Sequence, residues 1–154
     1  MGELILMRHA AALSAAIGAT DFERALSARG RAAAAQAARD LASAGVDVER
    51  LLYSPARRTR DTAAIVARGL SLDAAALESV PELYAGSSQA IRESIERFHG
   101  DARILMVIGH NPGISEIGRE LASGPSHDHL RTAEFWRLPF DAASWRLLMR
   151  RAEA

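Results

Sequence analysis

The stretch ARILMVIGHNPG, residues 102–113, contains the strongest strand signal in the chain. Its centre, residues 104–108, is a continuous and partly β-branched apolar run that ends at Gly109. A run of this kind is typical of a strand covered on both faces, as in a parallel sheet. Because GISEIGRELAS, residues 113–123, predicts a helix immediately afterwards, the segment as a whole indicates a strand, a polar turn and a helix.

The same order of elements occurs twice nearer the N-terminus. A short apolar run at residues 4–7 predicts a first buried strand, and VERLLYSP, residues 48–55, predicts a second. Between them, LSARGRAAAAQAARDLASAG, residues 26–45, has a serine before the segment, alanine throughout and a glycine at its end, which together predict one long helix. ARRTRDTAAIVARGL, residues 56–70, predicts an amphipathic helix.

The remaining segments complete an α/β pattern. LESVPEL, residues 77–83, is a weaker strand candidate, and SSQAIRESIERFHG, residues 87–100, predicts a serine-capped helix. TAEFWRLPF, residues 132–140, and ASWRLLMR, residues 143–150, alternate as expected for an antiparallel pair near a sheet edge. Since parallel crossovers need helix-sized connections, we expect a three-layer α/β/α sandwich with a mostly parallel central sheet and an antiparallel edge.

The composition limits the size, partners and chemistry of the protein. A length of 154 residues predicts one domain over residues 1–154. The formal net charge is zero, so the chain lacks the basic excess that binding to nucleic acid or to an anionic membrane favours. All 19 basic residues are arginine and no residue is cysteine, which excludes catalytic lysines, thiol nucleophiles and cysteine–zinc sites. No apolar run approaches the roughly 18 residues of a membrane span, and Glu3 and Arg8 interrupt any signal peptide, so we expect a cytoplasmic protein.

Arginine and histidine recur just after three of the predicted strands. Arg8 and His9 follow the first, SPARRTRDT, residues 54–62, follows the second, and GHNPG, residues 109–113, closes the third. Ligands of open α/β sheets bind beyond the carboxyl ends of the strands, so these residues should meet at one rim. A single cation there is usually a solvated surface residue, but clustered cations repel one another unless an anion joins them. Arginine forks and a helix N-terminus both suit a phosphate group.

The histidines at this rim add a chemical possibility. Neutral imidazole is nucleophilic at about pH 7 and can accept a phosphoryl group covalently. The chain has no lysine, no glycine-rich phosphate loop and no GxSxG serine, so the histidines are the best candidate nucleophiles. The pattern therefore predicts phosphoryl transfer.

Taken together, these motifs resemble the histidine phosphatase superfamily, also called the phosphoglycerate mutase-like family. Its pattern is matched in order by RH at residues 8–9, LSARG at 26–30, SPARRTRDTA at 54–63 and GHNP at 109–112. The short chain and the wording RHA, where RHG is commoner, look most like the SixA-type phosphohistidine phosphatases. The resemblance implies a phosphoglycerate mutase-like fold and a phosphatase that uses neither a metal nor another cofactor.

Carried over residue by residue, the resemblance also implies roles. His9 matches the nucleophile that becomes transiently phosphorylated, and Arg8 and Arg58 match the phosphate-binding arginines. His110 matches the second pocket histidine, which contacts the phosphoryl group and stabilises its charge in the transition state. A ring of fixed cations and donors suits the loose transition state of phosphoryl transfer, because charge develops on the equatorial oxygens.

Two further positions are weaker candidates. Glu82, in VPELY, stands where many members of the family have an acid that protonates the leaving oxygen. A structural or surface carboxylate is an equal alternative, because phosphoimidazole already has a good leaving group and SixA-type enzymes need no such acid. The backbone at Asn111, near the start of the helix after GHNP, is a candidate phosphate contact.

Three functions stay open at this point. The first is the dephosphorylation of phosphohistidine in a partner protein, which the resemblance favours. Only roughly 20 residues separate Glu82 from the strand at 104–108, which leaves little chain for a lid over a small substrate. A phosphatase of small phosphoesters, such as sugar or nucleotide phosphates, is the first alternative. The second is a phosphate-binding interaction module without turnover. The expected partner is accordingly a phosphorylated protein or a small phosphoester, and neither a nucleic acid nor a membrane.

Overall fold

The computed structural model describes residues 2–122 and 129–140, in which strands and helices alternate as predicted. The strands are β1 (Gly2–Arg8), β2 (Arg50–Tyr53), β3 (Leu77–Ser79), β4 (Ile104–Gly109) and β5 (Phe135–Phe140). The helices are α1 (Ala28–Ser43), α2 (Arg57–Gly69), α3 (Ser88–Phe98) and α4 (Gly113–Leu121).

The five strands form one sheet in the order β3-β2-β4-β1-β5. The pairs β1 with β4, β4 with β2 and β2 with β3 are parallel, and β5 runs antiparallel to β1 at the edge. Leu6 at the centre of β1 pairs with Val107 on one side and Trp136 on the other. The mostly parallel sheet with an antiparallel edge is therefore confirmed, while the further strand predicted at residues 143–150 lies outside the described residues.

Helices cover both faces of the sheet. Leu4 and Leu6 point into a core with residues of α3 and α4, and Ile5 and Met7 point into a second core with residues of α1 and α2. Successive side chains of a strand face opposite sides, so an unbroken apolar run fills two cores at once. This arrangement confirms the three-layer α/β/α sandwich.

The start of α1 is held against the loop that follows β1. Ser27 caps the helix, with its Oγ accepting from the Gly30 amide at 3.0 Å. A side chain at Gly30 would place its Cβ only 2.0 Å from the carbonyl oxygen of Ala11, so glycine permits this close approach. The glycine of LSARG thus sets the path of the chain just beyond His9.

The weak strand predicted at residues 77–83 is shorter in the structure. Only Leu77–Ser79 pairs with β2, and the chain then enters a single 3₁₀ turn at Pro81–Leu83. The Val80 amide still donates to the Tyr53 carbonyl at 2.9 Å, and Pro81, whose fixed φ suits the first position of a helical turn, then begins the turn.

Candidate active site

The carboxyl ends of three adjacent strands bring the predicted pocket residues together. Arg8 ends β1 with His9 directly after it, Arg58 lies in the first turn of α2 after β2, and His110 follows β4. The ring centroids of His9 and His110 are 5.1 Å apart. Arg58 lies between them, with its Nε 3.4 Å from His9 Nε2 and its Nη2 3.3 Å from His110 Nδ1.

The ring of His9 is held in one tautomer. Its Nδ1 donates to the carbonyl oxygen of Ala10 at 2.7 Å, which leaves the Nε2 lone pair facing Arg58. Burial lowers the pKa of His9 to about 4, with a further contribution from the charge of Arg58 and a partial opposing effect of the bond to Ala10. At neutral pH the imidazole is uncharged, so Nε2 can act as a nucleophile.

His110 is hydrogen-bonded on both of its ring nitrogens. Its Nε2 lies 2.8 Å from Ser54 Oγ and 3.2 Å from Thr59 Oγ1, and both of these residues are fully buried. Burial lowers the pKa of His110 to about 3, and repulsion from His9 when that ring is protonated and from Arg58 lowers it further. His110 is therefore neutral in the free pocket.

Asp21, which no sequence pattern indicated, contacts Arg58 at the edge of the site. Its backbone carbonyl accepts from Arg58 Nη1 at 2.8 Å, and its carboxylate Oδ2 accepts from Arg58 Nη2 at 3.0 Å. The Tyr84 hydroxyl donates to the same Oδ2 at 2.9 Å. That hydrogen bond, together with Arg24 and Arg58, lowers the pKa of Asp21 to about 2, so the carboxylate is charged at neutral pH.

Arg8 has an unused donor in the pocket region. Its Nη1 donates weakly to the Leu130 carbonyl at 3.4 Å, and its Nε is buried without a hydrogen-bond partner among residues 2–122 and 129–140. Burial and the neighbouring charge of Arg58 lower the pKa of Arg8. A buried donor of this kind is costly unless an acceptor joins it, and a phosphoryl oxygen is such an acceptor.

Asn111 holds the chain near Arg8 by its side chain. Its Nδ2 donates to the Leu130 carbonyl at 2.8 Å, and its Oδ1 accepts from the Ser115 hydroxyl. The side chain is thereby occupied, which leaves the backbone as the phosphate contact predicted at this position. Helix α4 begins two residues later at Gly113, so the positive end of its dipole lies close to His110.

Comparison with known proteins places this geometry in a family. A protein-family sequence model described as histidine phosphatase superfamily (branch 1) matches residues 4–105. The chain belongs to the histidine phosphatase superfamily. An uncharacterised protein from Picosynechococcus sp. is 33% identical over 135 residues, which cover 83% of this chain and 78% of that protein.

Solved SixA structures share the fold of this superfamily member. A candidate phosphohistidine phosphatase SixA from Nakamurella multipartitia is 31% identical with a TM-score of 0.76, covering 88% of this chain and 83% of that one. Another candidate SixA, from Agrobacterium tumefaciens, is 26% identical with a TM-score of 0.77, covering 88% of this chain and 90% of that one. These similarities confirm the predicted phosphoglycerate mutase-like fold.

Glu82, the candidate acid of the superfamily, is not brought into contact with the pocket histidines. It lies exposed in the 3₁₀ turn and lines a groove with Ser94 and Arg97 of α3. Two residues later, Tyr84 reaches the pocket instead, with its ring edge-on to His110 at 5.6 Å between centroids. Phe22 in turn packs edge-on against Tyr84 at 5.0 Å, so one wall of the site is aromatic.

Ala10, where the superfamily more often has glycine, is accommodated by packing. Its side chain is fully buried in a small cluster with Leu26 and Ala34. Its amide donates to Thr62 Oγ1 at 3.0 Å, and the Thr62 hydroxyl donates to the Arg58 carbonyl at 2.7 Å. The backbone that carries His9 is thus tied directly to the helical turn that carries Arg58.

Among the described residues, no three histidine, aspartate or glutamate side chains are grouped so as to hold a metal ion. None of the helices in residues 2–122 and 129–140 is both long and apolar enough to cross a membrane.

Proposed function

We propose that this protein is a metal-independent phosphatase that takes a phosphoryl group onto His9 and releases it to water, acting on phosphohistidine in a partner protein. One observation carries the proposal. The neutral His9 Nε2 has its lone pair directed at Arg58, in a pocket whose buried Arg8 Nε still needs an acceptor.

In the first step, His9 Nε2 attacks phosphorus while the bond from phosphorus to the leaving nitrogen breaks. The bonding electrons go to that nitrogen, and the departing imidazole is neutral when its other nitrogen is protonated. Arg8 and the Nε–Nη2 edge of Arg58 neutralise the charge on the equatorial oxygens. His110 and the backbone near Asn111 complete the ring of phosphate contacts in this proposal.

In the second step, water attacks the phosphorus of phosphorylated His9. The P–Nε2 bond breaks, inorganic phosphate leaves, and His9 recovers its lone pair. Throughout the cycle the Ala10 carbonyl accepts from Nδ1, which stabilises the positive ring of the phosphorylated state and returns the same tautomer. Transfer between two histidines is nearly balanced in energy, so hydrolysis supplies the downhill step.

Phosphohistidine is favoured as the substrate by the similarity to SixA structures described as candidate phosphohistidine phosphatases. The pocket also favours this substrate. An imidazole leaving group needs no general acid, and the candidate acid Glu82 does not contact His9 or His110. A phosphatase of small phosphoesters is the second candidate, because a candidate α-ribazole-5'-P phosphatase from Escherichia coli has the same fold at a TM-score of 0.68 and 18% identity. A binding module without turnover is disfavoured by the complete set of pocket side chains.

The decisive experiment follows phosphate release without added metal from a phosphohistidine-bearing phosphotransfer protein and from an aryl phosphate. Wild type should dephosphorylate the phosphoprotein far faster than it hydrolyses the ester, and His9→Ala should release phosphate from neither. His129→Ala, which alters an exposed histidine, is the matched control and should behave as wild type. Hydrolysis of the ester alone would favour the second candidate, and an active His9→Ala would refute the nucleophile.

A further inference from the structure

We infer that Ser54 and Thr59 are positioning residues that let His110 exchange hydrogen-bonding roles, accepting from Arg58 in the free enzyme and donating from Nδ1 to a bound phosphoryl group. The inference rests on the proposed function only in taking phosphate as the ligand. It concerns the state of one ring, which can be observed with or without turnover.

The free state of His110 follows from its neighbours. Arg58 Nη2 lies 3.3 Å from Nδ1, and a guanidinium can only donate, so Nδ1 accepts and the ring proton is on Nε2. That proton faces Ser54 Oγ at 2.8 Å and Thr59 Oγ1 at 3.2 Å. Both hydroxyls therefore act as acceptors toward Nε2 in the free pocket.

A phosphoryl group reverses the requirement at Nδ1. The unprotonated phosphoryl oxygens that Arg58 binds present only lone pairs, so His110 must carry a proton on Nδ1 to hydrogen-bond to one of them. In the imidazolium form both nitrogens donate, and in the neutral Nδ1–H tautomer Nε2 becomes an acceptor. The tautomer change releases one proton from Nε2 to water and takes one up at Nδ1, so the charge of the ring is unchanged.

Hydroxyl groups suit both states of Nε2. Rotation about the C–O bond turns a serine or threonine hydroxyl from acceptor into donor, whereas a carbonyl or carboxylate could only accept. Ser54 directly follows β2 and Thr59 lies in the first turn of α2 beside Arg58, so the motif SPARRT supplies both hydroxyls and the arginine. Their complete burial means that water does not take their place.

The charged and titratable groups around His110 are consistent with a switch driven by the ligand. Arg8 and His9 face it from the end of β1, Arg58 from α2, and Asp21 and Tyr84 from two loops. The arginines disfavour a charged His110, and a phosphate dianion favours a proton on the ring nitrogen that faces it. Phosphate binding should therefore move the ring proton from Nε2 to Nδ1 and leave the ring neutral.

The experiment combines nitrogen-15 NMR of His110 with kinetics on an aryl phosphate. In wild type we expect a proton on Nε2 in the free protein and on Nδ1 with saturating inorganic phosphate. Ser54→Ala with Thr59→Val should keep the free-state signal, bind phosphate about 10-fold more weakly and lose about 10- to 100-fold in kcat. Restoring one hydroxyl by Thr59→Ser in the Ser54→Ala background should recover most of the loss.

Ser94→Ala is the matched control, since Ser94 is buried but donates to Ala90 within α3, away from the pocket. It should leave kcat and the His110 signal unchanged. Wild-type His110 that keeps Nδ1 unprotonated with phosphate bound would overturn the inference, even if the double variant failed to fold. A wild-type protein that shows the ring change but hydrolyses nothing would support the inference and reject the phosphatase.

Discussion

Asp21 fixes the outer edge of the Arg58 guanidinium at the mouth of the pocket. The Asp21 carbonyl accepts a hydrogen bond from Arg58 Nη1 at 2.8 Å, and the Asp21 carboxylate accepts one from Arg58 Nη2 at 3.0 Å. The opposite Nε–Nη2 edge consequently faces His9 Nε2 and His110 Nδ1. This contact aims the fork of Arg58 at the place where phosphoryl oxygens would bind, but it also puts a negative charge next to them.

The two effects of Asp21 should separate on substitution. Asp21→Asn keeps an oxygen acceptor but removes the charge, so inorganic phosphate should inhibit about 3-fold more strongly while kcat changes little. Asp21→Ala removes the acceptor as well, so Arg58 loosens and kcat on an aryl phosphate should fall about 10-fold. Inhibition constants and kcat are the readouts.

Asp61, an acid on α2, the helix that carries Arg58, provides the control for these variants. Asp61 pairs with Arg31 and Arg57 at 3.7 Å, outside the pocket, so Asp61→Asn should leave both constants unchanged. Equal phosphate inhibition of wild type and Asp21→Asn would mean that the carboxylate does not compete with the ligand.

Arg58→Lys should behave as a severe substitution. The guanidinium contacts Asp21, His9 and His110 with three different nitrogens, whereas an ammonium offers one compact charge. We expect a 100- to 1000-fold loss of kcat/KM, of the size seen when a fixed transition-state donor is removed. Arg60→Lys, at an exposed position on the same helix, is the control. Retention of activity within about 5-fold would show that Arg58 acts only as a point charge.

The two pocket histidines should make stability fall on mild acidification. Their ordinary pKa of 6.5 drops to about 4 for His9 and about 3 for His110, so the unfolded chain binds more protons below about pH 6.5. The free energy of unfolding should therefore decrease as the pH falls from about 6.5 to 4. Asp21, with its pKa lowered from 3.8 to about 2, stabilises the fold throughout that range and loses its contribution only as the pH falls from about 4 to 2.

The melting temperature measured between pH 7 and pH 4 tests this window. A variant with both His9→Gln and His110→Gln should show a much flatter decline than wild type, because neither position then binds a proton. His129→Gln, at the exposed histidine, should keep the wild-type slope. An unchanged slope in the double variant would place the acid sensitivity elsewhere in the chain.

The sequence predicts the sheet and four of the pocket residues for a simple physical reason. Apolar runs such as 104–108 must be covered on both faces, so the polar residues directly after them have to gather at one rim. Arg8, His9, Arg58 and His110 follow from that rule. Strand and helix ends shift by a few residues, because capping and pairing decide them locally.

Asp21 and Tyr84 could not be predicted in the same way. They lie 63 positions apart, in segments without hydrophobic periodicity, and they meet because two loops fold over Arg58. Glu82, where the resemblance implied an acid and a surface carboxylate was an equal alternative, lies exposed just beyond Pro81, and Tyr84 at the end of the same turn reaches His110. Loop paths depend on contacts that exist only after the sheet has formed.

Glu82→Gln should therefore be nearly neutral. With no contact to either pocket histidine, its carboxyl should contribute less than about 2-fold to kcat/KM on phosphohistidine or on an aryl phosphate. The pH profiles of the variant and wild type on both substrates are the measurement. A loss of 10-fold or more confined to the ester, together with loss of the alkaline limb, would instead identify Glu82 as an acid for oxygen leaving groups.

Gly30→Ala should couple a packing defect to the active site. The added Cβ would lie 2.0 Å from the Ala11 carbonyl oxygen, so α1 and the loop after His9 must move apart at a cost of about 1 to 3 kcal/mol in unfolding free energy. The same loop includes the Ala10 carbonyl that holds His9 Nδ1, so kcat should fall as well. Ala32→Gly, at an exposed site on α1, should cost about 1 kcal/mol through helix propensity but leave kcat intact. Both variants should be compared by denaturant unfolding and by aryl phosphate kinetics, which distinguish a local displacement from a general loss of stability. A destabilised Gly30→Ala with normal kcat would show that the loop does not position His9.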